Sequence, residues 1–383
     1  MSKKISKLKY CKLCVLPNTR PRIIIDKNGV CSACNFSHQK NKKIDWKIRR
    51  KKFLKLIQYK GNNNRYDCII PVSGGKDSTW QVITALRYKL KPLCVTWNTP
   101  ARNKIGQKNL NNLINLGVDH IDFTINPNIE KKFTLKSFEK YGNPLIPMHM
   151  AIHSIPINLA IKFNIPLVIW GENSAAEYGG NEKFLENQRM NRKWKELYGV
   201  TFGTTAKDWV DKNLKLKDLL PYSWPTDREV KKHKIQEIFL GYYFKWDPNK
   251  IFKISKKYGF SSAAKPKTGF YSYADIDDEF LITVHHWMKW YKFGFTRLWD
   301  NLTLEIRNKR ISRDKAIKII TKKGNLIPRP EIKKFCNYLN ISKKQFIKIA
   351  EKFRNRNIWK KEKRIWKINN FLISKWNWKK DEI

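Results

Sequence analysis

Ser73, Gly74, Gly75, Lys76, Asp77 and Ser78 stand together in the string PVSGGKDSTW, between an apolar run and a stretch of helical character. A strand-to-helix loop of this kind aims backbone N–H groups and the positive end of a helix dipole at the space beyond the strand, where an anion binds. Two adjacent glycines let the backbone approach phosphate oxygens closely, Ser73 and Ser78 offer hydroxyls, and Lys76 adds charge. The loop is not of the Walker A kind, whose pattern places a glycine where Ile70 stands and a Ser or Thr where Asp77 stands. A carboxylate beside a triphosphate is repulsive unless a cation lies between them, so Asp77 points to bound Mg²⁺.

A second constellation precedes it. Cys11, Cys14, Cys31 and Cys34 form two CxxC knuckles separated by sixteen residues, the spacing of a four-thiolate zinc site. Four ligands close the coordination sphere, so such a metal is structural, and the spacing does not distinguish zinc from iron. Seven cysteines are an odd number, which argues against a disulfide framework, and Cys68, Cys94 and Cys336 read as buried thiols.

The elements that must position the loop follow from periodicity. After a basic helix over 44–59, residues Gly61, Asn62, Asn63 and Asn64 mark a linker. Strands are expected at 66–72, 92–97, 120–125, 165–170 and 237–244, with helices at 79–90, 104–116, 129–141 and 149–164. This alternation predicts an α/β fold with a parallel sheet covered on both faces. Three regions are expected: 1–60 with the knuckles, 61–260 with the phosphate loop and an insertion over 175–235, and 261–383, mostly helical to the end.

Other strand ends should complete the site, because open α/β sheets bind ligands beyond the carboxyl edges of their strands. Trp97 and Asn98 end one strand, where an adenine would stack or hydrogen-bond, and Gly171, Glu172 and Asn173 end another, with Glu177 near the same region. Further on, Lys265, Lys267 and Tyr271 precede the acidic cluster Asp275, Asp277, Asp278 and Glu279. These residues fit a sugar- or phosphate-binding role, and equally a helix start at Ile276 with Asp275 as its N-cap. His285 and His286 are expected to pack in an apolar helix. The Trp-rich tail from Trp359 to Trp378 fits an amphipathic helix laying its indoles on the core, or a nucleic-acid or membrane surface.

The 383 residues, 41% hydrophobic, suit a globular enzyme, and without an apolar run of eighteen residues or a signal-like start the expected compartment is the cytoplasm. A net charge of +47 suits a polyanionic partner, yet Lys, Asn and Ile recur together along the whole chain, which fits a compositional bias equally well.

SGGKDS resembles the PP-loop signature of ATP pyrophosphatases, which cleave ATP to AMP and pyrophosphate. That resemblance implies a doubly wound sheet of the PP-loop (adenine nucleotide α-hydrolase-like) type, with ATP and Mg²⁺ in the loop. Over most of its length the chain also resembles the N-acetyl sugar amidotransferases of bacterial surface-polysaccharide and nonulosonic-acid pathways. The carriers are YCKLCVLPNTRP with CSAC, YDCIIPVSGGKDSTWQV, PLCVTWN, WGENSAAEYGG, KPKTGFYSYADIDDEF and KFGFTRLWDNLTLEIRNKRISRDKAI.

This resemblance implies that a sugar N-acetyl group becomes an acetamidino group. The amide oxygen attacks the α-phosphorus of ATP, and ammonia then displaces AMP. It further implies a separate glutaminase, a cyclase-like ammonia-channel subunit, and an N-acetylated sugar or nucleotide-sugar substrate. Under it Asp77, Lys76, Glu172 and Asn173 are the catalytic candidates. Ser73 to Ser78, Trp97, Asn98 and Gly171 would hold ATP, and Glu177, Lys265, Lys267, Tyr271, Asp275 and Arg297 the substrate. Lys292, Asp300 and Arg307 belong to the same segment as Arg297. Two rival readings stand beside it, a PP-loop tRNA-modifying thiolase or ligase and a basic binding module with a degenerate ATP site.

Overall fold

The structure is a computed structural model describing residues 7–58, 65–324, 326–363 and 365–378. The expected linker Gly61 to Asn64 lies outside these residues. Five strands form one parallel sheet: β1 (Cys68–Pro71), β2 (Pro92–Trp97), β3 (Asp119–Phe123), β4 (Leu167–Trp170) and β5 (Gln236–Phe239). Their order is β3-β2-β1-β4-β5, so the chain winds outward from β1 in one direction and then returns to β1's other side. Ligands bind at such a reversal, here the crevice between the carboxyl ends of β1 and β4.

The central strands are apolar because both faces are covered: β2 and β4 are buried at every position. Helix α1 (Lys76–Arg87) follows β1, α2 (Lys104–Ile114) follows β2, and α3 (Pro127–Tyr141) follows β3. Helix α4 (Ile146–Lys162) then leads back to β4. Asn103 and Asn126 cap α2 and α3 with their side chains, and Gly142 ends α3 in the left-handed conformation.

Three expectations are corrected. EIFLGYYF is a strand only through Phe239; Leu240–Tyr243 is a helical turn, because Gly241 turns back to donate its N–H to Gly171 O at 3.0 Å. No helix starts at Ile276. The segment before Leu281–Phe293 is irregular, Asp275 has φ +54°, and the Asp278 carboxylate accepts the N–H of Ile282 at 2.9 Å. The C-terminal region is helical only to Lys352: Trp359–Glu362 and Ile365–Ile368 pair antiparallel, a short hairpin that buries Trp359 and Ile368 at its open end and leaves Lys360 to Glu362 exposed. The indoles still meet the core, Trp359 edge-on to Trp290 with centroids 5.3 Å apart. Among the described residues no helix is long and apolar enough to cross a membrane.

One hydrophobic cluster joins the knuckle cysteines, the sheet and the C-terminal helices. Thr19 donates to Phe293 O at 2.5 Å, Arg20 to Asp300 Oδ1 at 3.1 Å, and Arg313 to Cys14 O at 3.0 Å, so the N-terminal segment is fastened to the C-terminal one.

Candidate active site

The loop after β1 is drawn tight by its own hydroxyls. Ser78 Oγ donates to Gly75 O at 2.9 Å and Thr79 Oγ1 to the same oxygen at 3.0 Å, which leaves the first N–H groups of α1 facing outward. Gly74 sits at φ +81°, and a Cβ there would stand 2.7 Å from the backbone N of Leu110. Only glycine fits, because the loop is pressed against α2. Lys76 pairs with Asp77, whose other oxygen accepts the Trp246 indole N–H at 2.9 Å.

Opposite the loop, Gly171 ends β4, and a Cβ on it would lie 3.9 Å from Asp77 Cβ. Gln81, on α1, ties that helix to β4 by donating to Ile169 O at 2.9 Å. Glu172 follows, and burial together with the nearby Asp77 carboxylate pushes its carboxyl up to about 7. Glu172 does not itself line the cleft, but its carboxyl feels the Asp77 charge, a repulsion that a divalent cation between them would relieve.

A cleft of about 350 Å³ opens from this point. Its walls are the loop, Trp97 and Thr99 beyond β2, Gly171 beyond β4, and an apolar face of α4 made by Met148, Ile152, Ile155 and Pro156. The irregular segment Tyr273 to Asp278 and Arg297 close the far side. Asp275 accepts from Thr268 Oγ1 at 2.6 Å and lies 3.6 Å from Arg297 Nε and 3.5 Å from His286 Nδ1. The Arg297 Nε–H has no hydrogen-bond partner. Burial pushes Asp278 up to about 7 and raises Asp277 as well, so this wall is less anionic than its composition suggests.

Of the residues proposed from sequence, Ser73, Gly75, Lys76, Asp77, Ser78, Trp97, Gly171, Asp275 and Arg297 meet around the cleft, with Gly74 setting the loop's shape. Others are placed elsewhere. Asn173 caps the short helix Ser174–Tyr178, with Oδ1 accepting from Ala175 N and Trp194 Nε1 and Nδ2 donating to Phe184 O at 2.8 Å, which commits both ends of the amide to the fold. Asn98 donates to Thr124 Oγ1 at 3.0 Å, and Glu177 is paired with Lys40. Lys265 is exposed on the surface, Lys267 donates to Asp278 O at 2.5 Å, and Tyr271 is buried against Glu305. Lys292 donates to Tyr141 O at 2.8 Å, and Asp300 is enclosed by Arg20 and Lys289.

Residues that sequence reasoning missed are Arg102, held by Asp122 at 2.6 Å, Trp246, and the α4 wall. The α4 residues carry no signal beyond apolarity, and a core-facing helix reads identically.

The four knuckle thiols are buried, and their sulfurs lie within 4.8 Å of one another. Cys14 and Cys31 sulfurs are 3.8 Å apart and those of Cys11 and Cys34 4.0 Å. A tetrahedron of Zn–S bonds has edges of about 3.8 Å, so the donor set fits zinc. Beside it the buried Arg307 guanidinium, with Nη2 unpartnered, supplies the counter-charge that an anionic four-thiolate centre needs.

Residues 255–372 match the family model described as LPS biosynthesis protein WbpG-like, C-terminal domain. The similarity is confined to this C-terminal region. No curated protein matches the chain. Among solved structures, NMN synthetase from Francisella tularensis is similar at 14% identity over 78% of this chain and 94% of that one, with a TM-score of 0.32. The NH3-dependent NAD synthetase from Campylobacter jejuni, solved with nitrate ion, is similar at 17% identity over 50% of this chain and 93% of that one, with a TM-score of 0.28.

Proposed function

We propose that this chain, whose C-terminal region is similar to a WbpG-like domain, is an ATP-dependent amidotransferase of lipopolysaccharide biosynthesis that converts a sugar N-acetyl group to an acetamidino group. The observation that carries the reading is the cleft itself. At one end stands the glycine loop, with Asp77 beside Gly171 at the sheet's reversal point; at the other stands Arg297, with an unpartnered N–H beside Asp275. The β and γ phosphates lie on the loop N–H groups and Lys76, which leaves the α-phosphorus toward the middle of the cleft. Asp77 and Glu172 would hold Mg²⁺, which supplies charge neutralisation at the phosphates.

The N-acetyl sugar enters from the Arg297 side, its polar groups meeting Arg297 and Asp275 and its acetyl methyl the α4 wall. Its amide oxygen attacks the α-phosphorus as pyrophosphate leaves, and ammonia then forms the C–N bond while AMP departs. An amide oxygen is a poor leaving group and AMP a good one, so the energy of ATP goes into exchanging one for the other. Among the described residues no cysteine lines the cleft, and burial pushes Cys94 up to about 12, which speaks against a thiolase. Ammonia would come from a separate glutaminase through a cyclase-like subunit, in keeping with the absence of a glutaminase constellation from the sequence.

Incubation with N-acetylated nucleotide sugars, ATP and ammonium tests the reading by mass spectrometry. A product lighter by about 1 Da, with AMP and pyrophosphate in equal amounts, is expected from the exchange of O for NH. Dependence on tRNA instead, or no AMP with any such sugar, rejects it.

A further inference from the structure

The helix Trp46–Gln58, WKIRRKKFLKLIQ, contains no acidic residue and lines no part of the cleft. Its inner face is fixed. Phe53 and Ile57 are buried, and the Phe53 ring lies 5.2 Å from Tyr88, 5.4 Å from Tyr243 and 5.2 Å from Phe244. Arg49 donates to Tyr242 O at 3.3 Å and sits 3.5 Å over the Tyr242 ring. The helix is therefore a firm part of the fold and not a loose basic arm.

The outer face has a different composition. Positions 48, 51, 52 and 55 share one side of a helix, as do 47, 51 and 54, so Ile48 stands among Lys51, Lys52 and Lys55, and Leu54 beside Lys47 and Lys51. All of these side chains are exposed, Ile48 at 53% and Leu54 at 39%. Among the described residues a carboxylate, Glu186, reaches Arg49 at 3.1 Å, and none pairs with the outward lysines.

A chain-wide excess of lysine accounts for the charge on this face but not for aliphatic side chains set within it. Nucleic acid fits it poorly, because the face carries no aromatic ring for a base to stack on, and Ile48 and Leu54 gain nothing against phosphates. An anionic bilayer meets both features. Headgroup phosphates pair with ammonium groups on long flexible stems, and the acyl boundary just below takes the aliphatic side chains.

We propose that the outward face of the helix Trp46–Gln58 docks on an anionic phospholipid bilayer, with Lys47, Lys51, Lys52 and Lys55 on the headgroups and Ile48 and Leu54 dipping into the interface. The inference uses no residue of the cleft, so it stands independently of the amidotransferase reading.

Co-sedimentation of the full chain with vesicles of phosphatidylglycerol and phosphatidylcholine in equal parts, at about 0.15 M salt, tests it. Binding is expected there, and none to phosphatidylcholine alone. Because the whole chain is basic, the deciding comparison removes the same charge from two places. Lys51→Gln, Lys52→Gln and Lys55→Gln together should weaken binding on the order of a hundredfold. Lys343→Gln, Lys344→Gln and Lys348→Gln, on the exposed side of the helix Lys343–Lys352, should weaken it by less than about threefold. Ile48→Ser with Leu54→Ser leaves the charge untouched and should cost roughly tenfold. Equal losses in the two lysine triples, or no loss in the serine pair, overturn the proposal, since diffuse charge alone would then explain the binding. Tighter binding to RNA than to the vesicles, abolished by the first triple, overturns it too and gives the face to nucleic acid.

Discussion

The indole N–H of Trp246 donates to Asp77 Oδ1 over 2.9 Å, and Lys76 occupies the other oxygen of the same carboxylate. Trp246 comes from the segment after β5, at the edge of the sheet, so the loop after β1 is aimed by a residue distant from it in sequence.

Asp77→Asn keeps the shape and removes the charge, so turnover should fall by about 10²- to 10³-fold with little change in melting temperature. Trp246→Phe keeps the ring and deletes one hydrogen bond, and a rise of about tenfold in the KM for Mg·ATP is expected, on the order of 1 kcal/mol. Steady-state kinetics with a thermal melt of each variant check both. Retained turnover in Asp77→Asn would remove the metal role assigned to that carboxylate.

Gly74→Ala brings a Cβ to 2.7 Å from Leu110 N at a backbone φ of +81°. Strain of this kind costs about 1–3 kcal/mol, and the loop cannot relieve it without leaving α2. Loss of nucleotide binding measured by calorimetry is the expected outcome, together with a lower melting temperature. Gly75→Ala meets only the Ser73 hydroxyl at 3.2 Å and should be the milder of the two.

Arg297→Lys retains a positive charge and loses the planar fork. If the guanidinium reads the sugar end, the KM for the N-acetylated substrate rises roughly tenfold while the KM for ATP is unmoved. Equal effects on both constants would place Arg297 outside the sugar subsite.

Glu130 makes a pH prediction with a defined sign. Its folded value of about 8 lies above that of an exposed glutamate, about 4.3, so its contribution to stability is fully present below the lower value. That contribution is lost as pH rises through the upper one. Wild type minus Glu130→Gln should therefore fall by about 1.4 kcal/mol per pH unit between these values and level off above pH 8, the other titrating groups cancelling in the difference. Denaturant melts of both proteins across pH 5 to about 9 measure it, and a flat difference would show Glu130 ionised like an exposed residue.

Removal of zinc should unfold the knuckles and loosen what they hold. Chelation is expected to lower the melting temperature and release one equivalent of zinc by elemental analysis, with Cys14→Ser giving the same melt without chelator. Iron in place of zinc would leave the geometry as described and change the metal assigned.

The sheet, the loop and the knuckles were legible in the sequence because each rests on local pattern: continuous apolar runs at β2 and β4, SGGKDS between strand and helix, and CxxC pairs. The far half of the cleft was legible only in part. Asp275 and Arg297 were found through resemblance, whereas Lys265 and Tyr271, from the same strings, point to solvent and core. Asn173 follows Glu172 in a string that reads as one unit, yet its amide caps a helix while its neighbour feels the charge of Asp77; periodicity does not resolve adjacent side chains in an irregular loop. Trp246 gave no signal, because a lone Trp beyond a strand is commonplace.

The ring of Tyr10 stands edge-on to Phe371 at 6.3 Å, and the knuckle carbonyl of Cys14 is held by Arg313. The stretch from Tyr10 to Cys14 thus waits for partners translated far later in the same chain. Synthesis from the amino side cannot complete this packing piece by piece, and Phe371→Ala would remove the aromatic floor on which Tyr10 rests.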